Sequence, residues 1–406
     1  MSGPLSGVRI LDLTIWMQGY GTSMLADMGA EVIKIENLPK GDPVRGIQEI
    51  RTGFDYGDSA INPLLQVTAR SKKSLALNLG LPGAREIVYR LARESDVFAS
   101  NLRLRSLTQW GLDYTSLKAV NPRLIYVRDS GWGAEGPDKD APGMDIAVQA
   151  RGGIMSMMVT GEDAPPPPGG VTGLADKFGA LQFAWAITLA LFARERTGIS
   201  QEVHVSLLSG QMIAGASFIQ QYLLTGREPA RPSHRKMANP LRNSFPTKDG
   251  RWIAFNLTQA DRHWPGLCRA LGLERLIDDP RYTSMEKRRD RSEELVDILD
   301  AAFRAKTKDE WLPICAEHDL VFGPVQNYAE VVNDPQMIEN EYITTIEHPA
   351  IGPMKAHGLS VQLYETPGRI QGPAPEYGEH TEAVLMGLGG YSWEELTRFK
   401  EEGLII

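Results

Sequence analysis

Two short apolar runs near the amino terminus, Val8-Arg-Ile-Leu-Asp-Leu and Val32-Ile-Lys-Ile-Glu36, flank a stretch that opens on Gly19-Tyr-Gly and continues Thr-Ser-Met-Leu-Ala-Asp-Met-Gly. The runs read as strands and the stretch between them as a turn followed by a helix. This strand-helix-strand succession constrains the fold most, because two strands joined through a helix pair in parallel. The pattern continues along the chain. Gly83 to Glu94 places Ile87, Val88 and Leu91 on one helical face and leads into Asp96-Val-Phe, and Pro122-Arg-Leu-Ile-Tyr-Val supplies a further strand. The expected fold class is therefore α/β, with a mostly parallel sheet covered on both faces.

The strongest punctuation is Ala164-Pro-Pro-Pro-Pro-Gly-Gly, which continues neither a helix nor a central strand and reads as an extended surface segment. After it come Val171-Thr-Gly-Leu-Ala-Asp-Lys-Phe-Gly and an apolar helix ending near Arg194 to Gly198. Gln201 to Ser206 alternates like a strand, and a second long helix is expected over Leu207 to Leu224. Between Pro229 and Pro246 periodicity fades. A smaller α/β lobe then starts at the turn Thr247-Lys-Asp-Gly and the strand Trp252-Ile-Ala-Phe-Asn, and includes an amphipathic helix over Ser292 to Ala305. From about Gly323 short strands and loops lead to two final helices, after Gly378 and after Ser392.

At 406 residues the chain is long enough for two or three such units. Its 43 basic and 51 acidic residues give a formal charge of −8, which argues against nucleic acid or an anionic membrane as partner while leaving room for a small anion held by local cations. Cys268 and Cys315 lie far apart without metal-ligand spacing, so neither a disulfide framework nor a metal site is signalled. The opening Met-Ser-Gly-Pro-Leu-Ser lacks the features of a secretory signal, which fits a cytoplasmic protein. The longest apolar run, Leu181 to Phe192, is shorter than the roughly 20 residues of a membrane span and reads as a buried helix.

Two features carry candidate chemistry. The first is Gly19-Tyr-Gly-Thr-Ser-Met after a strand, with Glu36 ending the next strand near the place of a ribose-binding acid. Met24 replaces the third glycine of the dinucleotide fingerprint. A structural turn, or a site for a different phosphate-bearing ligand, is therefore the commoner meaning than NAD. The second is Asp176, at the amino end of the apolar helix, where the helix end would stabilise its anion as a nucleophile requires. By spacing alone an ordinary helix cap is the commoner reading of Asp176, because Asp is among the preferred caps. No Gly-x-x-x-x-Gly-Lys-Ser/Thr loop, His-Glu-x-x-His helix or Gly-x-Ser-x-Gly elbow occurs.

Taken in order, the motifs resemble a known family. Pro4-Leu-Ser-Gly-Val-Arg-Ile-Leu-Asp-Leu-Thr, Leu25-Ala-Asp-Met-Gly-Ala-Glu-Val-Ile-Lys-Ile-Glu, Lys72-Lys-Ser-Leu-Ala-Leu-Asn-Leu and Asn121-Pro-Arg-Leu-Ile-Tyr come first. Ser130-Gly-Trp-Gly, Gly143-Met-Asp-Ile-Ala-Val-Gln-Ala, Leu174-Ala-Asp, Thr197-Gly, Gln201-Glu-Val-His-Val-Ser, Gly323-Pro-Val and Gly378-Glu-His-Thr follow. The set resembles class III CoA-transferases, the group of formyl-CoA transferase and the carnitine and bile-acid CoA-transferases, over nearly the whole chain.

The resemblance implies a large open Rossmann-like domain built from both chain ends, a smaller inserted α/β domain, and an interlocked homodimer. On this chain it implies a large CoA-binding domain over 1–224, a small domain over 225–322 and a return to the large domain over 323–406. It makes Asp176 the nucleophile and coenzyme A, as acyl-CoA, the substrate carrier, with a carboxylic acid as the second substrate and no metal. By position it implies CoA contacts at Gln18 and Gly19, Asn37, Leu77 and Asn78 with the segment to Gly80, and Asn101 with the segment to Trp110. Gln18 stands near the family's active-site glutamine, on a turn one residue shorter. Asn37, Gly80 and Gln109 replace residues that are often basic in the family, so phosphate pairing is expected to shift to Lys40, Arg103 or Arg105. The glycine-rich loop of the formyl enzyme has no counterpart, so formate and oxalate are not expected as substrates. A 2-methylacyl-CoA racemase of the same fold is the nearest alternative, but Met144 stands where that branch has its proton-carrying histidine. A NAD-dependent dehydrogenase is the more distant one.

Overall fold

The structure is a computed structural model and describes residues 3–46, 61–159, 165–167, 170–231 and 233–406. Ala164, Pro168 and Gly169 of the expected proline-rich segment lie outside the described residues. By compactness the chain forms two units. One comprises Met1–Ile154, Gly169–Thr225 and Ile338–Ile406, and the other Met155–Pro168 and Gly226–Met337.

In the first unit, β1 (Arg9–Leu13), β2 (Glu31–Asn37), β3 (Lys73–Leu77), β4 (Val97–Ser100), β5 (Ile125–Ser130) and β6 (Glu202–Ser206) make a six-stranded sheet. The order is β3-β2-β1-β4-β5-β6 and every neighbouring pair is parallel. The strands are apolar at consecutive positions because both faces are covered. Leu11, Leu13, Ile33, Ile35, Leu75, Phe98 and Tyr126 face the helix Pro82–Arg93 and the carboxy-terminal helices Thr381–Gly387 and Trp393–Glu401. Ile10, Val32, Val97, Ile125, Val127 and Val205 face the helices Gly19–Asp27 and Leu174–Thr197. Those two helices approach closely, since a Cβ on Gly21 would lie 2.6 Å from the Ala180 carbonyl oxygen.

Because the strands are parallel, their carboxy-terminal ends share one edge of the sheet. The strand order turns back between β1 and β4, the switch point at which open parallel sheets bind ligands. The carboxy-terminal segment joins the unit through the β3 edge, where the Ala76 N–H donates to Thr381 Oγ1 at 3.0 Å and the Asn78 N–H to the Leu404 carbonyl at 2.8 Å.

The second unit has a three-stranded antiparallel sheet of β7 (Ser244–Pro246), β8 (Trp252–Phe255) and β9 (Phe322–Pro324). Phe245, Phe255, Phe303 and Trp311 centre its core. Pairing of β9 with β8 keeps the chain in this unit past residue 323, so the return to the first unit falls at Ile338 and not at the expected 323. The long helix expected over 207–224 is divided at Gly215 into Leu207–Ala214 and Ala216–Thr225. Among the described residues no helix is long and apolar enough to cross a membrane.

Candidate active site

The carboxy-terminal edge of the sheet collects the candidate residues because each ends, or directly follows, a parallel strand. Asn37 and Leu77 are the last residues of β2 and β3, Asn101 follows β4, and Gln18 and Gly19 follow the turn after β1. Several are engaged internally. The Asn101 carboxamide accepts the Ile15 N–H at 2.9 Å and donates to the Ile15 carbonyl at 2.9 Å. Asn37 Oδ1 accepts the Leu79 N–H at 2.9 Å, and Asn78 Nδ2 donates to the Gly403 carbonyl at 3.2 Å. Leu77 is buried in the core. These side chains shape the edge, and the backbone beside them is engaged as well, the Asn37 carbonyl accepting the Gly41 N–H at 2.9 Å and the Leu77 carbonyl the Leu38 N–H at 3.2 Å. Lys40, Arg103 and Arg105 are exposed on the same edge, and their side chains make no ion pair among the described residues.

Gly19 begins the first helix at a point where a Cβ would lie 2.8 Å from the Thr68 carbonyl oxygen, and its own carbonyl accepts from Lys72 Nζ at 2.7 Å. The glycine thus serves close packing and not the tight turn of a dinucleotide fingerprint. Glu36, the expected ribose-binding acid, is buried and already accepts from Arg45 twice at 2.7 Å, from Ser74 Oγ at 2.7 Å and from the Asp42 N–H at 3.1 Å.

Asp176 lies in the first turn of the helix Leu174–Thr197, whose amino-terminal cap is Gly173 at φ +70°. The amides of this helix start are occupied by another carboxylate. Asp145 Oδ2 accepts the Gly173 N–H at 2.8 Å, and its Oδ1 accepts those of Ala175 at 2.8 Å and Asp176 at 3.2 Å. Gln149 holds the arrangement, donating to Asp145 Oδ2 at 2.9 Å and to the Val171 carbonyl at 2.8 Å, and accepting the Val171 N–H at 3.2 Å. The expectation that the helix end would stabilise the Asp176 anion is corrected here. Burial, and next the nearby Asp145 charge, push the half-buried Asp176 carboxyl up to about 7, against the opposing pull of Lys177. Its carboxylate oxygens accept no hydrogen bond among the described residues.

Two further groups meet this helix. Asp129, near the end of β5, is buried, and its Oδ1 accepts the Ser130 N–H at 2.8 Å. Burial pushes its carboxyl well above the usual carboxylate range, and the Asp176 charge adds to that push. Gln18 packs against Gly179, three residues beyond Asp176 and so on the same helix face. A Cβ on Gly179 would lie 2.9 Å from Gln18 Nε2 and 2.5 Å from Leu207 Cδ2, so only glycine admits both neighbours. Gln18 Oε1 is buried without a hydrogen-bond partner.

The structure therefore brings Gln18, Asp129, Asp145 and Asp176 to one place at the sheet edge. Asp145, Asp129, Gln149 and Gly179 are not found from the sequence. Asp145 stands in the recognised Gly143-Met-Asp stretch, but nothing in linear spacing ties it to a helix 31 residues on. A desolvated carboxylate without hydrogen-bond donors suits attack on an electrophilic carbonyl or acceptance of a proton. Among the described residues no cluster of His, Cys, Asp or Glu could hold a metal ion.

Known proteins agree over the full length. Residues 5–381 match the family model "CoA-transferase family III". The chain is 32% identical to succinyl-CoA–D-citramalate CoA-transferase of Chloroflexus aurantiacus over 404 residues, covering 99% of this chain and 98% of that protein. It is 30% identical to (R)-2-hydroxy-4-methylpentanoate CoA-transferase of Clostridioides difficile over 416 residues, covering 99% of each. A crystal structure of a CAIB/BAIF family protein from Brucella suis superposes with a TM-score of 0.83 at 28% identity, covering 96% of this chain and 100% of that one. A family model matched over residues 5–381, and relatives 30–32% identical over 99% of the chain, make it a CoA-transferase that belongs to CoA-transferase family III.

Proposed function

We propose that the protein moves CoA from an acyl-CoA thioester to a free carboxylic acid through a covalent intermediate on Asp176. The observation that carries this reading is the Asp176 carboxylate itself, half-buried, without hydrogen-bond donors among the described residues and set at the sheet edge beside Gln18. Asp176 attacks the thioester carbonyl, the C–S bond breaks, and CoA thiolate leaves behind a mixed anhydride. The thiolate attacks the aspartyl carbonyl and releases the donor acid, giving an aspartyl-CoA thioester. The acceptor carboxylate attacks that thioester and expels the thiolate, which then takes the acceptor acyl group and frees Asp176. Each exchange trades one acyl bond for a similar one, so rate depends on positioning and on keeping water from the anhydride. The Gln18 carboxamide would stand beside the tetrahedral centres, where its Nε2 amide hydrogens, and not the unpartnered Oε1, are the groups able to donate to an oxyanion.

The Rossmann-like strand order would offer its switch point to CoA, with Gln18–Gly19, Asn37, Leu77–Asn78 and Asn101 along the ligand and Lys40, Arg103 and Arg105 for its phosphates. A cytoplasmic homodimer completes the proposal. The helix Leu174–Thr197 is apolar all round, and its outer Leu181, Trp185, Leu189 and Phe192 are exposed, as a face awaiting a second copy would be. The NAD alternative is disfavoured by the committed Glu36 carboxylate, and the racemase by Met144.

Incubation with acyl-CoA esters, succinyl-CoA first because it is the donor named in the Chloroflexus relative, followed by hydroxylamine trapping and intact-mass measurement, tests the intermediate. The expected result is a hydroxamate at Asp176, and loss of turnover with retained CoA affinity in Asp176→Asn. An Asp176→Asn variant as fast as the parent refutes the mechanism. Deuterium incorporation at the α-carbon of a 2-methylacyl-CoA without an acceptor acid would favour the racemase.

A further inference from the structure

Between the end of β1 at Leu13 and the first helix at Gly19 the chain turns within Thr14–Gln18, and its central residue is strained. Trp16 stands at φ +58°, a left-handed conformation that favours glycine and disfavours a bulky side chain. Such conformers persist only where surrounding groups over-determine them. Here the determining groups are buried and charged. The Trp16 N–H donates to Asp42 Oδ1 at 3.1 Å, an oxygen that also accepts the Val44 N–H at 3.0 Å. Asp42 Oδ2 pairs with Lys34 Nζ at 2.8 Å, both side chains being 0% exposed. Lys34 Nζ also donates to the Thr14 carbonyl at 2.7 Å, and Asn101 binds both backbone groups of Ile15. At the far end of the turn, Lys72 Nζ holds the Gly19 carbonyl and pairs with Asp12 Oδ2 at 2.7 Å. Two lysines in a sheet core are costly to bury, and each is committed to an end of this turn. The residue the turn delivers is Gln18, whose Oε1 is buried without a partner against the Asp176 helix.

We propose that Asp42, held by Lys34, is a positioning residue for CoA transfer: by accepting the Trp16 N–H it keeps Trp16 left-handed and so aims the Gln18 carboxamide at the first turn of the Asp176 helix. Release of Trp16 to a negative φ would redirect the chain at Met17 and swing Gln18 away. This rests on the aspartyl mechanism proposed above for its kinetic readout, and has a second readout that does not.

The test uses the full chain and the variants Asp42→Asn, Trp16→Gly, Trp16→Ala and Asp42→Asn/Trp16→Gly. Asn has one acceptor oxygen for two demands, so its NH2 group meets either the Lys34 ammonium or the Trp16 and Val44 N–H groups, and the hold on Trp16 is weakened in either orientation. Expected for Asp42→Asn is a fall in kcat of about tenfold or more with KM for acyl-CoA changed far less, as misplacement of a catalytic group produces. Adding Trp16→Gly is expected to return kcat to that of Trp16→Gly alone, because glycine holds φ +58° unaided. A merely destabilised fold would not be rescued in this way. If Asp42→Asn does not fold, Trp16→Gly against Trp16→Ala decides, since both lack the indole and only one tolerates the conformation. Amide hydrogen exchange at Met17 to Tyr20, measured without substrate, is expected to quicken in Asp42→Asn and slow again in the double variant. Absence of transfer by the parent would refute the function while exchange still judges the positioning role. Unchanged kcat and exchange in Asp42→Asn, or equal behaviour of the Gly and Ala variants, overturns the proposal.

Discussion

Replacing Asp176 by Asn should stabilise the protein at alkaline pH while abolishing turnover, and the size of that gain follows from the site. Burial and Asp145 raise the Asp176 carboxyl from 3.8 to about 7. A group whose folded pKa lies above its unfolded one contributes stability that is complete below the unfolded value and is lost as pH rises through the folded value. The parent therefore loses ground to Asp176→Asn between about pH 4 and 7, and the difference is flat above about pH 8. At about 1.4 kcal/mol per pKa unit the interval bounds the effect at about 4 kcal/mol. The carboxyl is only half-buried, and solvent screening of that kind leaves about 2 kcal/mol as the expected size.

The assay is urea unfolding of both proteins at pH 4, 6 and 8, read as the change in their stability difference with pH. Any constant effect of the amide cancels in that comparison. A difference that stays constant, or a parent that gains on the variant as pH rises, refutes the reasoning. The second outcome is what a carboxylate stabilised by free helix amides would give.

Other consequences can be checked in the same preparations. In the parent, kcat/KM should rise with pH through about 7 as Asp176 ionises, and Asp145→Asn should move that limb to lower pH by removing the neighbouring charge. Asp145→Ala leaves the Gly173, Ala175 and Asp176 amides without their acceptor and should cost about 1–3 kcal/mol in urea unfolding. Gly179→Ala forces a methyl onto Leu207 and Gln18, and should cost about 1–3 kcal/mol by overpacking while lowering kcat more than it raises KM. Replacing Lys40, Arg103 and Arg105 together by Ala should raise KM for acyl-CoA, weaken its dependence on salt and leave kcat nearly unchanged.

The parallel sheet was legible because its strands are buried on both faces. Ile10 and Leu11 serve opposite cores, so the run is apolar at consecutive positions and stands out from alternating surface strands. Boundaries set by long-range pairing were less legible. Phe322–Pro324 reads as the start of a new segment until β8 claims it, and Leu207 to Leu224 is helical throughout by pattern, although Gly215 divides it. At the site, the position of Asp176 at a helix start was legible and its electrostatics were not. A helix start attracts a carboxylate, but which carboxylate it attracts depends on tertiary structure, and here the amides bind Asp145 from another helix.

That exchange of partners bears on how the site can work. With its own carboxylate on the helix amides, Asp176 would be a stabilised anion at neutral pH, and a stabilised anion is a poor nucleophile toward a thioester. Asp145 fixes the helix start by spending its charge on three amides and Gln149. On the proposed mechanism Asp176 is left without hydrogen-bond donors, so its oxygens keep their basicity while the helix start sets their position. Positioning and activation, which compete when one carboxylate must provide both, are divided here between two. Substitutions at Asp145 should therefore disturb both the helix start and the ionisation of Asp176, whereas substitutions at Asp42 should disturb the aim of Gln18 and leave the ionisation of Asp176 in place, and the pH profile separates the two.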